Sequence, residues 1–491
     1  MLTKLNNLSY KWKKILLINP NYTAVGWDYF NIKFPPLNLM YIASYLTDLD
    51  VEVEILDTKI NDLNYDQIKK KIKVFNPDIV GITVYVSAVI NQCYDIAKLI
   101  KEVNPNCKVV FGGRHPTFEA DEILKTDNVD FVVRGEGELT FRELVKKNKP
   151  DGIQGISFKS NEKIIHNPDR PLMSKEDFAN IRLPARNLTI NNKYKIFTVR
   201  MEAVETSRGC PFTCKFCTST AFYNHTWRPR KIEKIITELK LISRNRKITD
   251  IFFVDDNLTA NTQRIEELCE KIIECKKNKE INDFKFFAQL RVDDVVRAPQ
   301  MVRKMAEAGF WVVFIGIESI NETALKNMRK GFSFNKVLSA LKILHSNNVI
   351  VAGLLIIGVD LNATKEDVIN EIKFIKKVDI DLVNYVLLTP FLGTETLREL
   401  TTQNLVVSRD WSKYTIFYPV IKTYQLTPEQ LYDLLLYSFK ELDIRNNLKR
   451  FIYRIIKRRG IIFVINPVRI LSLAKSYFKL KIFSMKKFKK L

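Results

Sequence analysis

The sequence is short of cysteine, glycine and long apolar runs. Its seven cysteines are an odd number in a large chain. A disulfide framework belongs to small secreted domains, so these thiols are expected to bind metals or simply to pack. Sixteen glycines in 491 residues fall below the average usage of about 7%. No low-complexity tract or internal repeat occurs either, which excludes a fibrous or linker-like chain. The longest uncharged apolar run, Val349 to Val359, is well short of the ~20 residues of a membrane-spanning helix. Near the N-terminus, Ile15-Leu16-Leu17-Ile18 is too short for a signal-peptide core, so a cytoplasmic protein is expected. Residues 444–491 hold fifteen Lys or Arg and no Asp or Glu, so the first 443 carry only +8 of the net +23 (23 minus 15). That tail points to an anionic partner, with membrane headgroups and nucleic acid as the candidates.

What is present reads as a globular chain of two or three domains, with 46% hydrophobic and 11% aromatic residues. From Lys14 to about Lys147, apolar strand-like runs (Ile15 to Asn19, Val51 to Leu56, Ile79 to Val84, Val109 to Phe111, Phe131 to Val133) alternate with helical stretches. This predicts an α/β fold, a doubly wound flavodoxin-like domain over residues 1–149. Residues 150–198, with Pro168, Pro171 and Pro184, read as a linker. Strand and helix alternate again over 199–400, with strands near Val204, Ile251 to Val254, Phe284 to Gln289, Val312 to Ile317, Ile350 to Ile357 and Leu382 to Leu388. Residues 401–491 are helical and basic. Within them Leu448, Phe451, Ile452, Ile455 and Ile456 recur at helical spacing among cations, which fits a helix docked on the preceding domain or a membrane-surface helix.

The chemistry concentrates in Arg208-Gly209-Cys210-Pro211-Phe212-Thr213-Cys214-Lys215-Phe216-Cys217. Three closely spaced thiolates can hold three irons of a cubane and leave the fourth without a protein ligand. A zinc site is the alternative, with His225 as a fourth ligand. The other cysteines, Cys93, Cys107, Cys269 and Cys275, sit singly in apolar or helical surroundings and read as packing residues.

The C-x-x-x-C-x-x-C spacing, with an aromatic before the last cysteine, resembles the radical S-adenosylmethionine (SAM) superfamily. The resemblance implies a 4Fe-4S cluster on Cys210, Cys214 and Cys217, whose free iron chelates SAM and reductively cleaves it to a 5'-deoxyadenosyl radical. It also implies a partial (βα)6 barrel. In barrels the carboxyl ends of the strands carry the chemistry, so the SAM contacts are expected at Phe216, Asp255, Asp256, Asn257, Gln289, Arg291, Glu318, Ser319 and Gly358. Glu318 is the candidate for the ribose hydroxyls, because a carboxylate can accept two hydrogen bonds.

The N-terminal domain is similar to cobalamin-binding domains of radical SAM enzymes. The likeness rests on Pro35-Pro36-Leu37-Asn38-Leu39-Met40-Tyr41, the Gly112-Gly113 turn and Arg134-Gly135-Glu136-Gly137-Glu138. It implies cobalamin contacts at Tyr22, Thr83, Ser87, Gly112, Gly113, His115, Gly135 and Glu136. The D-x-H-x-x-G signature of base-off cobalamin domains is absent, since Gly113 stands two before His115 and Phe118 three after it.

The expected activity is cobalamin-dependent methylation of an unactivated carbon on a lipid or other secondary metabolite, as in hopanoid methylases. An external electron donor such as flavodoxin or ferredoxin is implied, and the basic tail suggests a peripheral position on the inner face of the membrane. The rivals are radical oxidative cyclisation, as in anaerobic magnesium-protoporphyrin cyclases, or carbon-carbon coupling. From another class, the chain could be a non-catalytic metal-stabilised binding protein. A tRNA methylthiotransferase would carry a second N-terminal cysteine cluster, where this chain offers only Cys93 and Cys107.

Overall fold

The computed structural model describes residues 11–21, 33–196, 199–442 and 448–465. Tyr22 and the basic segment from residue 466 on lie outside the described residues. The chain divides into two compact units, the first built on Pro35–Asp177 and Ile181–Asn192 with the strand before them, the second on Phe178–Asn180 and the chain from Lys193 on.

In the first unit, β1 (Lys14–Asn19), β2 (Glu52–Asp57), β3 (Ile79–Thr83), β4 (Lys108–Gly112) and β5 (Phe131–Val133) form a parallel sheet in the order β2-β1-β3-β4-β5. This is the flavodoxin-like doubly wound order. All five residues of β3 are buried, the continuous apolar pattern of a strand covered on both faces. The helix Tyr65–Phe75 shows why the sequence folds locally as it does. Asn64 and Gln67 close a reciprocal capping box at its start, while Ile68, Ile72 and Phe75 make one buried stripe. The stretch read as a linker begins with two further antiparallel strands, β6 (Ile156–Ser160) and β7 (Lys163–His166), which extend this sheet beyond β5.

In the second unit, β8 (Lys195–Ile196) leads into β9 (Val199–Val204), and β10 (Ser207–Gly209) pairs with β11 (Trp227–Pro229) in a small hairpin. Then β12 (Asp250–Phe253), β13 (Lys285–Leu290), β14 (Phe310–Glu318), β15 (Ile350–Ile357) and β16 (Leu382–Leu387) follow, each parallel to the strand before it. With β9 on β12 the sheet has six parallel strands, and β9 and β16 are not neighbours, so the barrel is partial. The larger apolar core lies between strands and helices. A second core, with Met201, Phe252, Phe287, Trp311, Val312 and Ile350, fills the inner face toward the strand starts.

The helix Leu448–Arg459 docks there. Phe451, Ile455 and Phe463 pack on that inner core. Arg454 pairs with Asp381 and with Asp379, Arg458 donates to the Asn348 carbonyl at 2.9 Å, and Arg459 reaches Asp250 at 2.8 Å while stacking over Trp311. Arg454 and Arg459 are therefore compensated by acids distant in sequence, Arg458 is held by backbone carbonyls, and the docked reading of this helix holds. Among the described residues no helix is long and apolar enough to cross a membrane.

Candidate functional site

The thiol loop leaves the carboxyl end of β9 through the β10–β11 hairpin. Gly209 at φ 84° makes this possible, because a Cβ there would lie 2.3 Å from the Thr226 carbonyl oxygen. Beneath the loop, Asp255 is fully buried and accepts from the Thr206 amide (3.0 Å), the Thr206 hydroxyl (2.7 Å) and the Ser207 hydroxyl (2.5 Å). Burial raises its pKa above the ordinary carboxylate range, opposed by those donors. Asp256 accepts from Ser219, and the buried Asn257 holds Thr259 and Asp294. Asp255 and Asn257 thus meet the protein, bracing the loop and the helix Val292–Arg297.

Cys214 is buried, and Cys210 and Cys217 are half-buried. Burial pushes the Cys210 thiol up to about 12, with neighbouring Cys217 adding to the rise, so deprotonation there calls for a cationic partner. One lies beside it. Arg291 stacks 3.5 Å over the Phe212 ring, places Nη1 3.8 Å from Cys214 Sγ, and is held by Asp293 and the Lys330 carbonyl. The Lys215 amide donates to the Met328 carbonyl at 3.3 Å, and Cys214 Sγ lies 3.8 Å from that of Arg329. The cluster loop is thereby tied to the segment Met328–Gly331.

Among the described residues no three His, Cys, Asp or Glu side chains converge as ligands of a single ion do. His225 instead faces the Phe212 carbonyl. A cubane gives each thiolate its own iron and so needs no such convergence, and buried positive charge suits its anionic thiolate set; these residues fit an iron-sulfur cluster better than zinc.

The remaining SAM candidates line the same end of the barrel. Gln289 is the one exposed residue of β13, at the level of Phe314 on β14. Gly358, at φ 92°, follows β15. Ser319 turns away and donates to Glu371 at 2.7 Å, which also takes the Tyr385 hydroxyl at 3.1 Å. Glu318 pairs with the buried Lys330 at 2.6 Å. Sequence reading missed Lys330 and Glu371, which only the fold brings to the strand end.

In the first unit the candidates gather after β3, β4 and β5. The Asn38 amide donates to the Thr83 hydroxyl at 2.7 Å, and Ser87 Oγ lies 3.0 Å from His115 Nδ1. Burial holds the His115 imidazole neutral, with its pKa lowered to about 4. Gly113, at φ 113°, follows Gly112 and brings the turn against the Val84 carbonyl. The Glu136 carboxylate accepts from the Met173 amide at 2.9 Å. Around Gly135, at φ 72°, a Cβ would meet nothing within 4 Å. The open backbone at Gly135, at a strand end, fits the approach of a broad, flat cofactor such as a corrin.

Comparison with known proteins agrees with both units. The B12 binding domain family matches residues 29–145, and the Radical SAM superfamily matches residues 204–375. An uncharacterized methyltransferase of Pyrococcus horikoshii is 36% identical over 440 residues, covering 89% of this chain and 93% of that protein. The hopanoid C-3 methylase of Methylococcus capsulatus is 26% identical over 85% of this chain and 78% of its own length. Among solved structures, the cobalamin-dependent SAM radical enzyme OxsB, with aqua-cobalamin and SAM bound, superposes with a TM-score of 0.72. It shares 20% identity, over 96% of this chain and 72% of that one.

Proposed function

This chain belongs to the radical SAM enzymes that carry a B12-binding domain, and on that basis we propose that it methylates an unactivated carbon of a lipid or other apolar secondary metabolite. Its cofactors are a 4Fe-4S cluster, SAM and cobalamin. When bound, the cluster supplies the electron that cleaves SAM, and cobalamin supplies a methyl carrier. Cys210, Cys214 and Cys217 are the residues to hold the cluster. The observation that carries this reading is the three-thiol loop at the carboxyl end of a partial barrel, with the buried cation Arg291 against it.

The protein's own tasks are binding, orientation and exclusion of water. Asp255 fixes the loop, Arg291 offsets thiolate charge, and Gln289, Glu318 and Gly358 stand where the nucleotide would lie. In the first unit, Thr83, Ser87, Gly112, Gly113, His115 and Gly135 form the cobalamin cradle. Phe252, Phe287 and Phe314 floor the inner barrel face, which supports an apolar acceptor. The electron donor is of the flavodoxin or ferredoxin class. Residues 466–491, with eight Lys or Arg and no acid, are the segment to meet an anionic membrane surface, while the Leu448–Arg459 helix serves the barrel.

Anaerobic reconstitution with iron, sulfide and hydroxocobalamin tests the reading. Retained corrin, 5'-deoxyadenosine formation under reduction, and transfer of labelled SAM methyl to a lipid extract are expected. Cys214→Ala abolishes SAM scission. If that variant cleaves SAM normally, or if the protein retains only redox-silent metal, the assignment fails. Sedimentation with anionic liposomes over a salt series tests the tail, and salt-insensitive absence of binding refutes that part alone.

A further inference from the structure

The open side of the partial barrel lies between β9 and β16, the first and last of its six parallel strands. The chain that leaves β9 carries the thiol loop, and the chain that leaves β16 forms the helix Glu395–Thr402. Among the described residues no backbone ladder joins the two strands, so contacts between these two segments span the gap at the carboxyl end.

Those contacts converge on Lys215, which stands between Cys214 and Cys217. A helix leaves its first amides without intrahelical acceptors. Here the Thr394 hydroxyl takes the Leu397 amide at 3.2 Å, and the Lys215 carbonyl takes the Thr396 amide at 3.2 Å. The thiol loop is therefore part of the cap of this helix. The Lys215 side chain reaches over the same turns. Its Nζ donates to Glu399 at 2.6 Å and lies 3.5 Å from Glu395, which also accepts from both terminal nitrogens of Arg329 at 2.8 Å. With Lys215 and Glu399 20% and 42% exposed, the ion pair is weak by itself. It holds only while the loop keeps the shape that caps the helix. Ligation of the flanking thiols to one cluster would fix that shape.

We propose that Lys215 is a positioning residue that couples cluster loading to closure of the barrel. Ligation of the thiols sets the loop, the loop caps the helix Glu395–Thr402, and the open side is strapped at its carboxyl end. This rests on the reading that Cys210, Cys214 and Cys217 hold the cluster. Coupling of this kind is reciprocal, so loosening the strap weakens retention of the cluster.

The test is hydrogen–deuterium exchange by mass spectrometry on the full chain, cluster-free and cluster-loaded under anaerobic conditions, with iron loss to a chelator as the second readout. In the unsubstituted protein, loading slows exchange over residues 394–402. Lys215→Met removes most of that slowing and releases iron roughly three- to fivefold faster, as for a few partly exposed charges, whereas Lys215→Arg keeps the unsubstituted behaviour. Glu399→Gln breaks the same bond from the helix and acts in the same direction. The double variant is no worse than Lys215→Met, because the two residues work through one contact. If loading leaves exchange over 394–402 unchanged, if Lys215→Met keeps both protection and iron, or if the two substitutions add, the proposal is overturned. Should Lys215→Met not load a cluster, Glu399→Gln decides by the same two readouts. If the unsubstituted protein loads no cluster, it is the cluster reading itself that fails, and the role of Lys215 falls with it.

Discussion

Arg454 offers the sharpest test of how the barrel is closed at its strand starts. Its guanidinium pairs with Asp381, which is fully buried and also accepts from His345 Nε2 at 3.0 Å and the Val351 amide at 2.9 Å. Arg454→Met keeps much of the stem and removes the charge, leaving Asp381 with those two partners. Breaking a buried pair by deleting one side costs about 3–5 kcal/mol. His345 can take up part of the lost compensation, so the lower end, about 3 kcal/mol, is expected. At about 2–4 °C per kcal/mol for a unit of this size, the transition of the second unit falls by about 6–12 °C. Differential scanning calorimetry can follow that unit apart from the first, since a two-unit chain need not melt in one step. Adding Asp381→Asn relieves the unpaired charge and recovers at least half of the loss. Liposome binding stays unchanged, because this helix serves the barrel. A fall of less than about 2 °C in Arg454→Met would refute the reasoning.

Other outcomes follow from the same geometry. Gly209→Ala places a Cβ against the Thr226 carbonyl and costs about 1–3 kcal/mol in the torsion alone, so iron and sulfide bound per chain fall after reconstitution while the first unit's melting is unchanged. His115 is held neutral with a pKa near 4, so the unfolded chain binds an extra proton between about pH 6.5 and 4. The first unit therefore loses stability as pH falls through that window, by about 3 kcal/mol when complete. His115→Gln flattens the profile in denaturant titrations across it; an unchanged slope would show that the imidazole is not buried neutral. Asp255→Asn puts an amide where three donors converge, costs about 1–3 kcal/mol, and lowers the affinity for the cluster as read by iron loss to a chelator.

Much of this protein is local, and what is local was legible in the sequence. The buried run Ile79–Thr83, the Asn64–Gln67 capping box and the thiol spacing are short-range patterns, and they announce the parallel sheets, their helices and the cluster loop without any tertiary context. Charge was harder to read. Arg454 and Arg459 look uncompensated in sequence because their partners Asp250, Asp379 and Asp381 lie 73 to 209 residues away, and only folding makes them neighbours. The same holds at the strand ends. Sequence could name Asp255, Asn257 and Glu318 as acidic or amide groups in the right place, but not which way each points. Packing turned Asp255 and Asn257 onto the protein. A bulge at Gly316, together with Lys330 from a later loop, folded Glu318 back into a buried ion pair, because torsional strain and long-range ion pairing are properties of the assembled structure.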